Sequence, residues 1–312
     1  MIGAGGPARG RRVRAGPAGG DTMDIRTILV PTDGSETAVP VMETALTLGR
    51  DLGAHVEVLI VRPDPKDTIP LLGEGMSVAM IEDMIQIAEK EGRERAGRGR
   101  HAFDELVKKL SIAAGDKPGA KGASAHWGEE VGRDDEVTAR RGRLADLMVV
   151  ARPTATSDVS STLTLNAALF DTGRPVLVTP PAGAKKIGSS IAVSWNGSAE
   201  SARAVSSALT LLKRAAKVTV FTASTPKIPS VRAQDLAAYL QWHGIETAAR
   251  TLETKTNDRP AIAMALLAAL TEGNVDLLVM GAYTHSRMRQ LILGGFTRHV
   301  LENAAIPVLM AH

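Results

Sequence analysis

A glycine-containing loop follows one of the most apolar segments of the chain, and its residue types could bind a phosphate group. The candidate binding residues of this loop are Gly281, Thr284, Gly294, Gly295, Phe296 and Thr297. Glycine lets the backbone approach an anion closely, and the first N–H groups of a following helix favour negative charge. A strand, a glycine loop and a helix in this order therefore predict a phosphate site built from hydroxyl and backbone N–H donors. The adjacent pair of glycines can also serve only close helix packing, so both interpretations stand.

A second polar group stands at the end of another apolar segment, where Asn196-Gly197-Ser198 follows residues 191–195. The carboxyl ends of parallel strands meet at one edge of a sheet, so we expect Asn196 beside Gly281. The side chain of Asn196 could instead only cap the helix that follows. Trp195 could pack in the core or provide a platform for an aromatic base.

Three blocks of sequence occur twice in the same order. The pairs are Ile28–Ser35 with Ile191–Ser198, Asp146–Val150 with Asp276–Met280, and Gly173–Val178 with Ala305–Met310. A repeat this long predicts two related domains, which we place at residues 24–182 and 187–312. In the first copy, Ala151-Arg152-Pro153-Thr154 replaces the start of the glycine loop. We therefore expect any phosphate site in the second domain only.

Composition narrows the class of protein. The net charge of +3 comes from 37 basic and 34 acidic residues, and the excess lies in the Arg-rich segment 1–23, interpreted as a disordered tail or as an extension before a start at Met23. The remainder is neutral, which gives no reason to expect nucleic-acid binding. No apolar segment reaches the roughly 20 residues of a membrane helix, and the chain has no cysteine. We expect a cytoplasmic protein that does not bind membranes.

No arrangement of residues predicts catalysis or a metal site. The seven histidines are scattered, and His285 and His299 have no second ligand at metal-binding spacing. Ser35 and Ser198 follow glycines but have no recognisable His or Asp partner for nucleophilic catalysis.

Short apolar segments alternate with helical patterns through both copies, which predicts parallel strands joined by crossover helices. The fold expected is α/β, with two tandem open five-stranded parallel sheets. The first copy is longer in the middle, where Val78, Ile81, Met84, Ile85 and Ala88 recur at helical spacing. This apolar stripe predicts a helix that packs on its own domain or on a second chain, before a charged stretch at 92–100.

The order of these elements, the two turns at Asp33 and Asn196, and the Gly281…Gly294 spacing resemble the universal stress protein family. The resemblance covers about residues 24–312, as a tandem member. It implies a Rossmann-like, adenine nucleotide alpha-hydrolase-like fold and two domains packed as a pseudo-dimer through their last strands. Many members bind ATP through G-x2-G-x9-G-(S/T), with an Asp facing the adenosine, and are not established catalysts.

This sequence keeps part of that motif. Gly281 and Gly294 match two motif glycines, whereas Thr284, Gly295 and Asn196 replace the second glycine, the Ser/Thr and the Asp. The resemblance implies ATP as the cofactor of the second domain and leaves open whether Mg²⁺ accompanies it. Two other functions are weighed: a scaffold that binds no nucleotide, and a slow ATP hydrolase. The expected partners are an adenine nucleotide and, as an open alternative, a second copy of the chain.

Overall fold

The structure is a computed structural model that describes residues 24–64, 77–117, 122–154, 159–224, 232–254, 257–282 and 295–312. In the first half, its strands are β1 (Thr27–Thr32), β2 (His55–Arg62), β3 (Ala113–Ala114), β4 (Ser124–Val131), β5 (Leu147–Ala151) and β6 (Val176–Thr179). Its helices are α1 (Val39–Leu52), α2 (Val78–Leu110), α3 (Asp134–Gly142) and α4 (Val159–Asp171), with a 3-10 turn at Glu36–Ala38.

The second half repeats this alternation. Its strands are β7 (Ser190–Ser194), β8 (Lys217–Ser224), β9 (Thr247–Glu253), β10 (Leu277–Gly281) and β11 (Val308–Ala311). Its helices are α5 (Ala199–Arg214), α6 (Ala233–Trp242), α7 (Arg259–Glu272) and α8 (Gly295–Asn303).

All described strands belong to one sheet in the order β3-β4-β2-β1-β5-β6-β11-β10-β7-β8-β9. Pairing is parallel within each half, as the alternation of strands and helices predicts. The first half adds the two-residue strand β3 to the five predicted strands. The central strands β5 and β10 are buried along Leu147–Val150 and Leu277–Met280, which agrees with their uninterrupted apolar sequences.

Helices cover both faces of the sheet. One face packs against α1, α2, α5 and α6, and the other packs against α3, α4, α7 and α8. Both faces of the central strands are therefore shielded from water. In such sheets, ligands bind at the carboxyl ends of the strands.

The two halves join through their last strands, as predicted. β6 and β11 pair antiparallel, with Leu177 opposite Leu309, and both residues are almost completely buried. The pairing covers two edges that would otherwise expose unpaired backbone groups. The junction makes the two domains a pseudo-dimer within one chain.

Helix α2 is longer than the sequence pattern indicates. The charged stretch at 92–100 does not interrupt it, and the helix continues for 33 residues from Val78 to Leu110. Gly92 and Gly99 lie on its buried face, and at Gly99 the absence of a side chain permits close packing. A methyl group on Gly99 would lie 2.7 Å from Trp127 Cη2 and 3.0 Å from Gly34 Cα. Tertiary packing therefore outweighs the low helix propensity of glycine.

The apolar stripe at the start of α2 is helical, as predicted, but most of it does not pack on the described residues of its own domain. Val78 is 73% exposed and Met84 is 41% exposed, and Ile81 and Ile85 are only partly buried. A helix of this length extends about 50 Å, whereas the eight-residue strand β2 extends about 26 Å. The first turns of α2 therefore pass beyond the sheet. Packing on a second chain stays a prediction.

Two elements of the first half had no recognisable sequence pattern. Helix α3 has mostly charged residues, and only Val137, Thr138 and Gly142 are buried. Strand β3 pairs with β4 through two exposed alanines. Neither element shows the apolar periodicity on which secondary structure is recognised.

Candidate functional site

The turn after β7 organises the carboxyl edge of the second half. Asn196 Oδ1 accepts a hydrogen bond from the backbone N–H of Ser198 at 3.1 Å, and Gly197 adopts a positive φ of 73°. Ser198 Oγ then accepts from the N–H of Ser201 at 3.2 Å and caps α5. Asn196 thus shapes the turn, while Ser198 is the capping residue. The amide Nδ2 of Asn196 supplies a donor that an aspartate would lack.

Gly281 lies at the end of β10, against the first turn of α5. A methyl group there would lie 2.5 Å from the backbone nitrogen of Ser201 and 2.9 Å from Glu200 Cβ. The residue is glycine because strand and helix approach too closely for any side chain. Gly281 and the Asn196 turn therefore contact the same helical turn, as expected from their strand ends.

The described part of helix α8 starts at Gly295, directly after Gly294 of the predicted glycine loop. Phe296 is partly buried and packs against the core, and Thr297 is buried with 7% of its surface exposed. The first N–H groups of a helix have no partner within it, which makes them donors for an anion. Thr284 and Gly294 lie outside the described residues, and the predicted site stays a prediction.

Trp195 links this edge to the core. Its ring is partly buried against apolar residues of the α5 face, which agrees with a packing role. Its indole Nε1 is buried and has no hydrogen-bond partner among the residues that the structure describes. A buried donor without an acceptor costs about 1–3 kcal/mol, so this N–H is a group that a ligand could satisfy.

Glu200 places a negative charge in the first turn of α5. Burial alone would raise the pKa of this carboxyl group, but its own backbone N–H, Ser198 and Arg203 hold the pKa below its usual value. The carboxylate already complements the positive end of the α5 dipole. A phosphate group at the first turn of α5 would therefore meet an existing negative charge.

The equivalent edge of the first half has the same turn with different surroundings. Asp33 Oδ1 accepts from the N–H of Ser35 at 2.9 Å, and Gly34 has a positive φ of 73°. A methyl group on Gly34 would lie 2.6 Å from the backbone oxygen of Arg95 in α2. Helix α2 therefore packs directly onto this turn.

A small cavity of about 110 Å³ remains beside Asp33. Its polar lining residues are Asp33, Arg62, Arg95, Asp134 and Ser160. The charges are partly paired, since Arg62 Nε lies 3.7 Å from Glu129 and Ser160 donates to Asp134. Apart from Asp33, sequence reasoning missed these residues, because they come from four separate elements without a motif. The glycines of α2 were a signal of close packing in this region.

Neither a metal cluster nor a membrane-spanning helix is found in the described ranges of the chain. These ranges contain no group of three His, Asp or Glu side chains that could hold a metal ion. Within them, no helix combines the length and apolar character needed to cross a bilayer.

Comparisons with known proteins agree with the fold. The Universal stress protein family matches residues 24–153 and 189–312, more than half of the chain. A universal stress protein from Archaeoglobus fulgidus DSM 4304 superposes with a TM-score of 0.61 at 19% identity, covering 91% of this chain and 95% of its own. A putative universal stress protein from Pseudomonas aeruginosa UCBPP-PA14 gives a TM-score of 0.53 at 12% identity, over 91% and 92% of the two chains.

A short segment also matches a curated relative. Universal stress protein Slr1230 of Synechocystis sp. is 54% identical over 35 residues, which cover 11% of this chain and 12% of that protein. The family match occurs twice, in the two halves that share a sheet, so the chain belongs to the universal stress protein family as a tandem, two-domain member.

Proposed function

We propose that this stress-response protein binds an adenine nucleotide, ATP, in its second half and acts without catalysis in the cytoplasm. The observation that carries the proposal is the buried indole N–H of Trp195 beside Asn196, a donor without an acceptor in the described part of the chain. Adenine and ribose offer nitrogen and oxygen acceptors that would satisfy this N–H. The neighbouring Asn196 replaces the Asp that, by the family resemblance, faces the adenosine.

The phosphate groups would be held by the start of α8. We place Gly295, Phe296 and Thr297, the first described residues of α8, at the start of this helix, where backbone N–H groups have no partner within the helix. Because Thr297 is buried, its contribution would be this backbone N–H rather than its hydroxyl. Thr284 and Gly294 complete the proposed phosphate loop. The residues leave open whether Mg²⁺ accompanies the nucleotide.

A scaffold that binds no nucleotide is the second candidate, and the first half favours it. There α2 packs onto the turn at Gly34, and the remaining cavity of about 110 Å³ is small. The smallest ligand pockets are roughly 300 Å³, well above the volume of this cavity. ATP, with 31 non-hydrogen atoms, needs a larger pocket than that. We therefore propose a structural role for the first half and nucleotide binding for the second.

The nucleotide content of the purified protein separates the candidate functions. Bound ATP after gentle purification supports the proposed function, and ADP that accumulates with time supports a slow ATP hydrolase. Protein that carries no nucleotide and takes up no added ATP supports the scaffold.

Substitution of Gly294 by valine tests the phosphate loop directly. A branched side chain where the backbone meets an anion should weaken ATP binding at least tenfold, measured by calorimetry. Thr154→Val at the corresponding first-half loop is the control and should leave ATP affinity unchanged. Equal affinity of Gly294→Val and the parent would contradict the proposed function and favour the scaffold.

A further inference from the structure

Helix α8 extends between the carboxyl edges of the two halves. Its first described residue, Gly295, lies where the second half would bind phosphate, and its last, Asn303, precedes β11. Because β6 and β11 run antiparallel, the start of β11 lies beside the end of β6. The C-terminus of α8 therefore faces the carboxyl edge of the first half, about 13 Å from Gly295.

Arg152 of the first half binds this C-terminus. The residue follows β5 directly, and its Nη1 donates hydrogen bonds to the backbone oxygens of Leu301 and Ala304, both at 2.7 Å. The last carbonyl groups of a helix have no partner within it, and a cation there is favourable. Leu301 and Ala304 are both buried residues, and their backbone oxygens benefit from a protein donor.

Partial burial of Arg152 is consistent with this role. Desolvation lowers the pKa of its guanidinium group from the ordinary value, but an arginine remains charged at any physiological pH. The guanidinium group can donate to two carbonyl oxygens at once. Because it is charged, these hydrogen bonds are stronger than those of a neutral donor.

The contact is not reciprocated by the second half. The repeated blocks align Arg152 with Ala282, a buried residue whose side chain has no donor. At the pseudo-equivalent junction, His312 packs edge-on against Phe170 of α4, with ring centres 5.0 Å apart. The first half has no glycine loop after β5. At that place it instead supports a helix of the second half, through Arg152.

We propose that Arg152 is a positioning residue for phosphate binding by the second half. It anchors the C-terminus of α8 and so fixes the position of the N–H groups at Gly295, Phe296 and Thr297. The inference rests on the proposed function and deepens it, because it gives the segment after β5 of the first half a part in nucleotide binding. It also explains a cation at a position where the second copy has alanine.

The test compares Arg152→Met with the parent, as full chains, by calorimetric titration with ATP. Loss of the anchor should raise the Kd for ATP about fivefold or more, which is the low end of measured coupling between sites. Arg152→Lys keeps a cation that can donate to both carbonyls and should restore most of the affinity. Should Arg152→Met fail to fold, Arg152→Gln provides the comparison and should bind ATP more weakly than Arg152→Lys.

Arg214→Met is the matched control. Arg214 Nη2 also donates across the two halves, to the backbone oxygen of Asp51 near the C-terminus of α1, at 2.6 Å. This substitution removes a contact of the same kind but leaves α8 untouched, so ATP affinity should stay at the parental value. Equal weakening by Arg214→Met would show a general loss of the junction and overturn the positioning role.

Amide hydrogen exchange gives a readout that does not need the nucleotide. In the nucleotide-free protein, Arg152→Met should increase exchange along 295–303, whereas Arg214→Met should not. A parent that binds no ATP refutes the proposed function and the positioning role together. A parent that binds ATP with the same Kd as Arg152→Met refutes only the positioning role.

Discussion

Replacement of Gly281 by alanine tests how the second half is assembled at its carboxyl edge. The added methyl group would lie 2.5 Å from the nitrogen of Ser201 and 2.8 Å from the carbonyl carbon of Glu200. Both are backbone atoms in the first turn of α5, so rotation of a side chain cannot relieve the contact. The closest distance is about 1 Å shorter than the separation at which such atoms attract each other. Strand β10 and helix α5 must therefore separate.

The expected cost follows from this overlap. Overpacking of a well-packed interior destabilises a protein by about 1–3 kcal/mol. In a domain of this size, each kcal/mol lowers the melting temperature by about 2–4 °C, so Gly281→Ala should melt several degrees below the parent.

Gly295→Ala is the control within the same predicted motif. A methyl group on Gly295 would meet Arg259 Cβ at 3.6 Å and Pro260 Cδ at 3.8 Å as its nearest described neighbours, which are ordinary contacts. The free energy of unfolding should change by no more than about 0.5 kcal/mol.

Thermal unfolding followed by circular dichroism and tryptophan fluorescence measures both variants. Trp195 and Trp242 report on the second half, and Trp127 reports on the first. The packing argument is refuted if Gly281→Ala melts at the parental temperature, or if Gly295→Ala is equally destabilised.

Two further predictions concern the first half. If the stripe on α2 packs on a second chain, the parent should sediment as a dimer and Val78→Glu/Met84→Glu as a monomer with an unchanged melting temperature, because both side chains are exposed; a monomeric parent would contradict this. Burial lowers the pKa of His55, whose Nδ1 lies 2.8 Å from Ser124 Oγ, so the unfolded chain takes up the proton first as the pH falls. The free energy of unfolding should therefore decrease below about pH 6.5, and His55→Gln should show a flatter pH dependence in urea titrations; equal slopes would exclude His55 as the cause.

Much of the fold could be predicted from local pattern. The blocks that occur twice indicated two domains, and the apolar segments at 147–150 and 277–280 indicated central strands. Strand β11 was predicted with its observed bounds, Val308–Ala311. Such elements are recognisable because burial on one or both faces imposes a periodicity on neighbouring residues.

The continuity of α2 could not be predicted in this way. The low helix propensity of its glycines predicts an interruption. The helix continues because it contacts Gly34 and Trp127 of other elements. Helix α3 likewise has too few buried residues to show an apolar face.

For the candidate site, too, part could be predicted from the sequence and part depends on the fold. The residue types of Asn196, Gly281 and Gly295 indicated a phosphate loop, because glycine and helix starts have local chemical meaning. The reason for Gly281, its contact with the first turn of α5, depends on residues about 80 positions earlier in the chain. The bond from Arg152 to α8 joins residues 149 and 152 positions apart. Contacts of this kind leave no periodic trace in the sequence, so they emerge only when the chain is folded.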